Sequence, residues 1–169
     1  PHYDINSYPT TDTKYKLMKL QGYNTRDLLG FINSRPLAHE PGSKFAYANA
    51  NYVVAGEIIN RVTGKSYGKN IQERIFNKLG MKNSIMPGQS IWLPEPAVHG
   101  YQDISHPEIG GTGFVDMAIQ NPSQVNASGE LISTTGDLAT FMKGLVSGKL
   151  ISQASLKEMT TASPQSPVY

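Results

Sequence analysis

Tyr47 and Asn49 stand two residues apart in the run Phe45-Ala46-Tyr47-Ala48-Asn49-Ala50-Asn51-Tyr52, which leads straight into the helical pattern beginning at Val53. A phenol and a carboxamide so placed, on a loop that runs into a helix, can face one cavity. The phenol handles a proton, and the carboxamide offers both a donor and an acceptor. A free tyrosine, with a pKa of about 10, is almost wholly neutral near pH 7. A nearby ammonium favours the phenolate, so a tyrosine beside a lysine can share proton transfer as a coupled unit. Such a base serves a hydroxyl nucleophile, which attacks poorly until something takes its proton.

The elements that must position this pair are legible from periodicity and caps. Thr25 or Asn24 caps a short helix through Asp27–Ile32 that stops before Pro36. Glu40-Pro41-Gly42-Ser43 reads as a turn ahead of Tyr47. Apolar residues at 53, 54, 58, 59 and 62 define a helix from about Ala50 to Thr63, with Gly64 as its stop. A second helix is expected from Ser66 to Leu79, ending at Gly80, and a third from Thr134 or Thr135 through Val146, closed by Gly148. Ser152 or Ser155 starts a short one that takes in Leu156 and Met159. Residues 1–23 read as a loop, 24–80 as helices with the Tyr-x-Asn loop, 81–126 as a long irregular segment, 127–160 as helical and 161–169 as a tail. No alternating strand, repeat or low-complexity tract stands out. An irregular connection of this length is usually functional or packed on another surface.

Composition narrows the function classes. The chain has 169 residues, 38% of them hydrophobic and 17% charged, with a net charge of +2. That is enough for one domain with a core. Its Lys and Arg are scattered and no basic run is interleaved with aromatics, which argues against nucleic acid. No apolar stretch reaches the ~20 residues of a membrane span. The absence of cysteine excludes disulfides and thiolate metal sites. His2, His39, His99 and His106 show no metal-ligand spacing, so neither a metal nor another cofactor is expected. Pro1-His2-Tyr3-Asp4 has no initiator Met and no leader pattern, so a piece of a longer polypeptide is expected.

The order of landmarks carries more than any one of them. Pro41-Gly42-Ser43-Lys44-Phe45-Ala46-Tyr47-Ala48-Asn49 precedes Gly56-Glu57-Ile58-Ile59 and Thr63-Gly64-Lys65-Ser66-Tyr67. Next come Leu79-Gly80-Met81, His99-Gly100-Tyr101 and Ala127-Ser128-Gly129-Glu130-Leu131-Ile132-Ser133-Thr134-Thr135-Gly136-Asp137-Leu138. This order resembles the serine β-lactamase-like family, which includes class C β-lactamases, D-alanyl-D-alanine carboxypeptidases, penicillin-binding proteins and esterases of the same fold. The resemblance implies a mainly α chain: the helical subdomain, the middle portion, of the β-lactamase/transpeptidase-like α+β fold, lacking most of the antiparallel sheet.

It also implies acyl-serine chemistry, with Tyr47 as part of the general base and Asn49 orienting a lysine and a substrate amide. Ser128 and Gly129 would line the substrate cleft, although a plain turn explains them equally well. The implied substrates of the complete protein are a peptidoglycan-type acyl-D-alanyl-D-alanine peptide, a β-lactam or an ester, met outside the cytoplasm. Two elements of the family pattern, Ser-x-x-Lys before the tyrosine and a Lys- or His-led triplet after the Ser-Gly segment, have no match here. The isolated chain is therefore expected to be inactive. Its helices, lacking the sheet that would cover them, are expected to self-associate or to melt early. A non-catalytic binding or regulatory module is the alternative from another class.

Ser66-Tyr67-Gly68-Lys69 fits Ser-x-x-Lys literally but follows Tyr47, so Ser66 is expected to be a helix cap. Gly111-Thr112-Gly113 imitates the triplet without its cation and is expected to be a tight turn. Asp137 is expected in the first turn of its helix, complementing the dipole. Trp92, Tyr101 and Phe114 are expected to pin the long segment to the core rather than to line a cleft.

Overall fold

A computed structural model describes residues 19–105 and 113–162. Its helices are α1 (Thr25–Asn33), α2 (Asn49–Thr63), α3 (Tyr67–Ile71), α4 (Asn77–Leu79), α5 (Thr135–Val146) and α6 (Gln153–Thr160). Two short strands, β1 (Tyr101–Asp103) and β2 (Phe114–Asp116), pair antiparallel with Gln102 opposite Val115. The described residues are helix-rich, with one two-stranded sheet among them. The strand pair was not expected from sequence, because three residues are too few to show an alternating pattern. The pairing itself makes the strands, and Ile104 N–H to Gly113 O and Met117 N–H to Gly100 O extend it at both ends.

The helices start and stop for local reasons. At α1, Asp27 N–H donates to Asn24 Oδ1 and Asn24 N–H donates to Asp27 Oδ2, both at 3.0 Å, a reciprocal cap. Ser66 Oγ accepts from Lys69 N–H at α3, Thr134 Oγ1 from Asp137 N–H at α5, and Ser152 Oγ from Ser155 N–H at α6. Gly64 and Gly80, at φ 66° and 71°, take the left-handed conformation that ends a helix without Cβ strain. The expected single helix from Ser66 to Leu79 is interrupted: a π-helical turn, Gln72–Phe76, separates α3 from α4.

The described residues form two compact units. The first comprises the residues up to 32 together with 48–55 and 87–130. Leu28, Val53, Ile104 and Val115 are buried there, and Met117 packs on the last two. Its loops are tied by polar contacts. Tyr23 N–H donates to Ser123 Oγ at 2.9 Å, Gln124 Nε2 to Gln21 O at 3.0 Å, and Lys19 Nζ to Asp116 O. Gly22 packs closely in this contact: a Cβ there would lie 2.8 Å from Asn121 Nδ2, so that amide would have to shift. Trp92, Tyr101 and Phe114 are 65%, 64% and 72% exposed, which corrects the expectation that they anchor this segment. In the strand pair it is Val115, on the opposite face from Tyr101 and Phe114, that is buried.

The second unit comprises residues 33–47, 56–86 and those from 131 onward. Its buried apolar residues are Tyr67, Phe76 and Met81. Gly144 of α5 is buried, and a Cβ there would come within 2.6 Å of Leu79 Cδ2, so α5 and α4 approach closely. Buried Asn70 closes the corner between α2 and α3 by donating to Thr63 Oγ1 and Ser66 O at 2.9 and 3.1 Å. An isolated bridge joins Ile85 to Ile132.

Candidate active site

Tyr47 lies between two fixed points. Ahead of it, Ser43 N–H and Oγ both donate to Glu40 O, and Gly42 sits at φ 74°, closing the turn. After it, α2 begins at Asn49, and buried Val53 anchors the first turns of that helix. The ring is 42% exposed, so it is presented at the head of α2 and not sealed in an interior. Asn49 is half-buried as the first residue of the helix.

Ser128 and Gly129 belong to a pair of 3-10 turns, Pro122–Gln124 and Asn126–Ser128. Asn126 is in the left-handed region at φ 46°, a conformation asparagine tolerates better than most side chains. Gly129 N–H and Glu130 N–H both donate to Asn126 O, at 3.1 and 3.2 Å. Ser128 Oγ donates to Val125 O, which commits its proton to the backbone. Asn49, Ser128 and Gly129 lie in the first unit and Tyr47 in the second.

The two imitations of the family motifs have local roles. Ser66 caps α3, and Lys69 Nζ lies 3.7 Å from Glu73, which also accepts from Lys65 Nζ at 2.7 Å. The Lys65 hydrogen bond holds Glu73 below the usual carboxylate range. Lys69 therefore faces a carboxylate, and Ser66 is engaged with the helix backbone. Gly111 and Thr112 lie outside the described residues, as do His2 and His106. Gly113 takes φ 76°.

His99 Nδ1 is 2.7 Å from Asp116 Oδ2 at the base of the strand pair. That contact raises the imidazole above its ordinary value. The same contact, with Ala118 N–H, lowers the carboxyl. Among the described residues no group of three His, Cys, Asp or Glu side chains converges as a metal site would require, and no helix is long and apolar enough to cross a membrane.

Two buried carboxylates exceed what the sequence suggested. Asp137 occupies the first turn of α5, as expected for dipole complementation. It also accepts from Asn83 N–H at 2.8 Å and Ser84 Oγ at 2.7 Å, and Ser84 Oγ lies 2.8 Å from Ser133 Oγ. Glu130 is buried at 7% exposure, and burial alone pushes its carboxyl up to about 7. The one available signal for Glu130 was an acid set in the otherwise uncharged run Ala127-Ser128-Gly129 before Leu131-Ile132.

A model of the β-lactamase family matches residues 4–168, and the chain belongs to that family. A protein of Escherichia coli (strain K12), provisionally named a D-alanyl-D-alanine carboxypeptidase, is 26% identical over 83% of this chain and 37% of its own length. A D-stereospecific amidohydrolase from Streptomyces sp. superposes with a TM-score of 0.85 at 30% identity, over 97% of this chain and 47% of that one. The D-amino acid amidase from Ochrobactrum anthropi SV3, solved with D-phenylalanine, superposes with a TM-score of 0.71 at 28% identity, over 82% of this chain and 41% of that one. The chain thus spans less than half the length of each of these relatives.

Proposed function

We propose that this chain is the Tyr-x-Asn-bearing middle portion of a penicillin-recognising serine hydrolase, mostly its helical subdomain. The complete protein cleaves the bond after a D-residue, in the manner of a D-alanyl-D-alanine carboxypeptidase or a D-amino acid amidase. The observation that carries this reading is the exposed Tyr47 ring held at the head of α2. Family membership and the D-specific relatives support the substrate class.

In this mechanism a serine supplied from outside these residues attacks the substrate carbonyl carbon, and its proton passes to the Tyr47 phenolate. Collapse of the tetrahedral intermediate breaks the scissile bond, and Tyr47 returns that proton to the leaving amine. Water then repeats the sequence on the acyl-serine. Asn49 orients the partner lysine and the substrate amide, and Ser128 with Gly129 borders the substrate. No cofactor takes part, and a peptidoglycan-type peptide would be met outside the cytoplasm. Proton transfer of this kind is typically worth ~10²–10⁴ in rate.

The uncovered helix faces support the partial-fold reading. In α5, Asp137 and Gly144 are buried, while Leu138, Met142 and Val146 are exposed on a line about 140° around the helix. In α2, Val53 and Gly56 are buried, and Val54, Ile58 and Val62 repeat the arrangement. A helix that is packed on one face and carries an exposed apolar stripe on the other is suited to lie between two layers. The isolated chain is accordingly expected to self-associate, and its sedimentation coefficient should rise with concentration. A concentration-independent monomer would count against it.

The catalytic reading is tested with fluorescent penicillin on the complete open reading frame. Acyl-protein should accumulate, and Tyr47→Phe should slow labelling by ~10²–10⁴, while the isolated chain should stay unlabelled. Labelling of the isolated chain that Tyr47→Phe abolishes would overturn the predicted inactivity. Comparing a D-Ala-D-Ala peptide, a cephalosporin and a short-chain ester separates the carboxypeptidase from a β-lactamase or esterase on the same fold. Turnover of none of them, with no label, leaves the binding or regulatory module.

A further inference from the structure

Tyr47 sits just outside the hold of its own helix. Asn51 N–H donates to Ala48 O at 3.1 Å, so the first turn of α2 reaches back to residue 48 and no further. Residues 44–48 form neither helix nor strand, and 41–47 are exposed throughout, so burial does not fix the stretch that carries the phenol. The fixed point on the other side is the turn of residues 40–43. Pro41 at its second position and Gly42 at its third, with φ 74°, make it a type II turn, closed by Ser43 N–H to Glu40 O at 3.1 Å. Two side chains reinforce the same carbonyl: Ser43 Oγ donates to it at 2.7 Å and His39 Nδ1 at 3.0 Å. A connecting turn needs only its backbone hydrogen bond and often lacks even that. This one carries two more.

We propose that this turn is the positioning device for Tyr47, with Gly42 and Ser43 as its positioning residues. The assignment rests on the serine-hydrolase function proposed above and deepens it by naming what aims the base. A general base must lie within hydrogen-bond reach of the hydroxyl whose proton it takes. A misplacement of about 1 Å can cost ~10² in rate. Only Lys44, Phe45 and Ala46 separate Ser43 from Tyr47, so a turn that opens passes its displacement to the phenol. A Cβ at Gly42 would meet nothing within 4 Å. Gly42→Ala therefore alters the backbone preference alone, at a left-handed φ that alanine avoids and asparagine tolerates.

On the complete protein, the dependence of acylation on fluorescent-penicillin concentration separates the limiting rate from the half-saturating concentration. Gly42→Ala should lower the limiting rate about tenfold, as the strain of a left-handed alanine implies, and Gly42→Asn should recover most of it. Ser43→Ala should lower it about fivefold, the worth of one net hydrogen bond, and Ser43→Thr should restore it to within about twofold. The half-saturating concentration should move by less than about twofold in all four. The decisive background is Tyr47→Phe. There Gly42→Ala and Ser43→Ala should each change the residual rate by less than about twofold, because the hydroxyl they position is gone. Undiminished losses in that background, or losses carried by the half-saturating concentration, overturn the positioning role. Should Gly42→Ala not fold, the Ser43 variants give the same reading. If the unmutated protein takes no label, the serine-hydrolase function fails and the positioning role falls with it. If it takes label and the variants at 42 and 43 label equally well, only the positioning role falls.

Discussion

Glu130 and Asp137 lie seven residues apart in one sequence segment, both carboxylates and both buried, yet their surroundings are opposite. Asp137 enters α5 in its first turn, where it accepts from a backbone N–H and a serine hydroxyl at the positive end of the helix. Glu130 follows a pair of tight 3-10 turns, and among the described residues only its backbone is hydrogen-bonded. The second unit satisfies its buried acid from within and so closes a corner of its fold. Depth is common to the two acids, so what separates them is the filling of their acceptor positions.

That contrast can be broken or sharpened experimentally. Asp137→Ala should produce the largest loss, about 2 kcal/mol in urea unfolding, because it removes the acceptor shared by Asn83 N–H and the buried Ser84 hydroxyl and leaves Ser84 only its Ser133 contact. A loss under about 1 kcal/mol would show that Asp137 is not the fastening that the contrast requires. Tyr67 offers the converse case in the same unit, since its buried hydroxyl has no hydrogen-bond partner among the described residues. Tyr67→Phe should leave stability unchanged or raise it by about 1 kcal/mol. A clear loss would mean that this hydroxyl is satisfied after all.

The smallest effect should be at His99 and Asp116, where both partners are accessible to solvent. Asp116 raises His99 above 6.5, and His99 helps to lower Asp116 below 3.8. The pair's contribution is therefore fully present between pH 3.8 and 6.5. It fades as pH rises through the raised imidazole value, and again as pH falls through the lowered carboxyl value. An NMR titration should place His99 above 6.5, and Asp116→Asn should bring it back toward that value. A wild-type midpoint at or below 6.5 would remove the pair from the account.

Much of the helical framework was legible because its signals are local. Asn24, Ser66, Thr134 and Ser152 each accept a backbone N–H within the next three residues. Gly64, Gly80 and Gly148 supply left-handed stops at the far ends. A cap or a stop acts over one helical turn, so its meaning survives in a string of letters. The π-helical turn at Gln72–Phe76 carries no such signal, and the strand pair is too short to write one. The long segment's aromatics misled for a related reason. Hydrophobicity says that Trp92 and Phe114 favour burial, and it cannot say that Val115, one residue away, takes the buried face.

The chain alone determined where helices begin and end, the spacing of Tyr47 and Asn49, and the order of landmarks that marks the family. Only the tertiary structure decided that Tyr47 is displayed, that Asp137 is filled from a segment 53 and 54 residues away, and that Glu130 is buried with no hydrogen-bond or charge partner for its carboxylate among the described residues. The physical reason is range. Caps and turns are settled by neighbours along the backbone, whereas the state of a buried charge depends on which distant groups are folded against it.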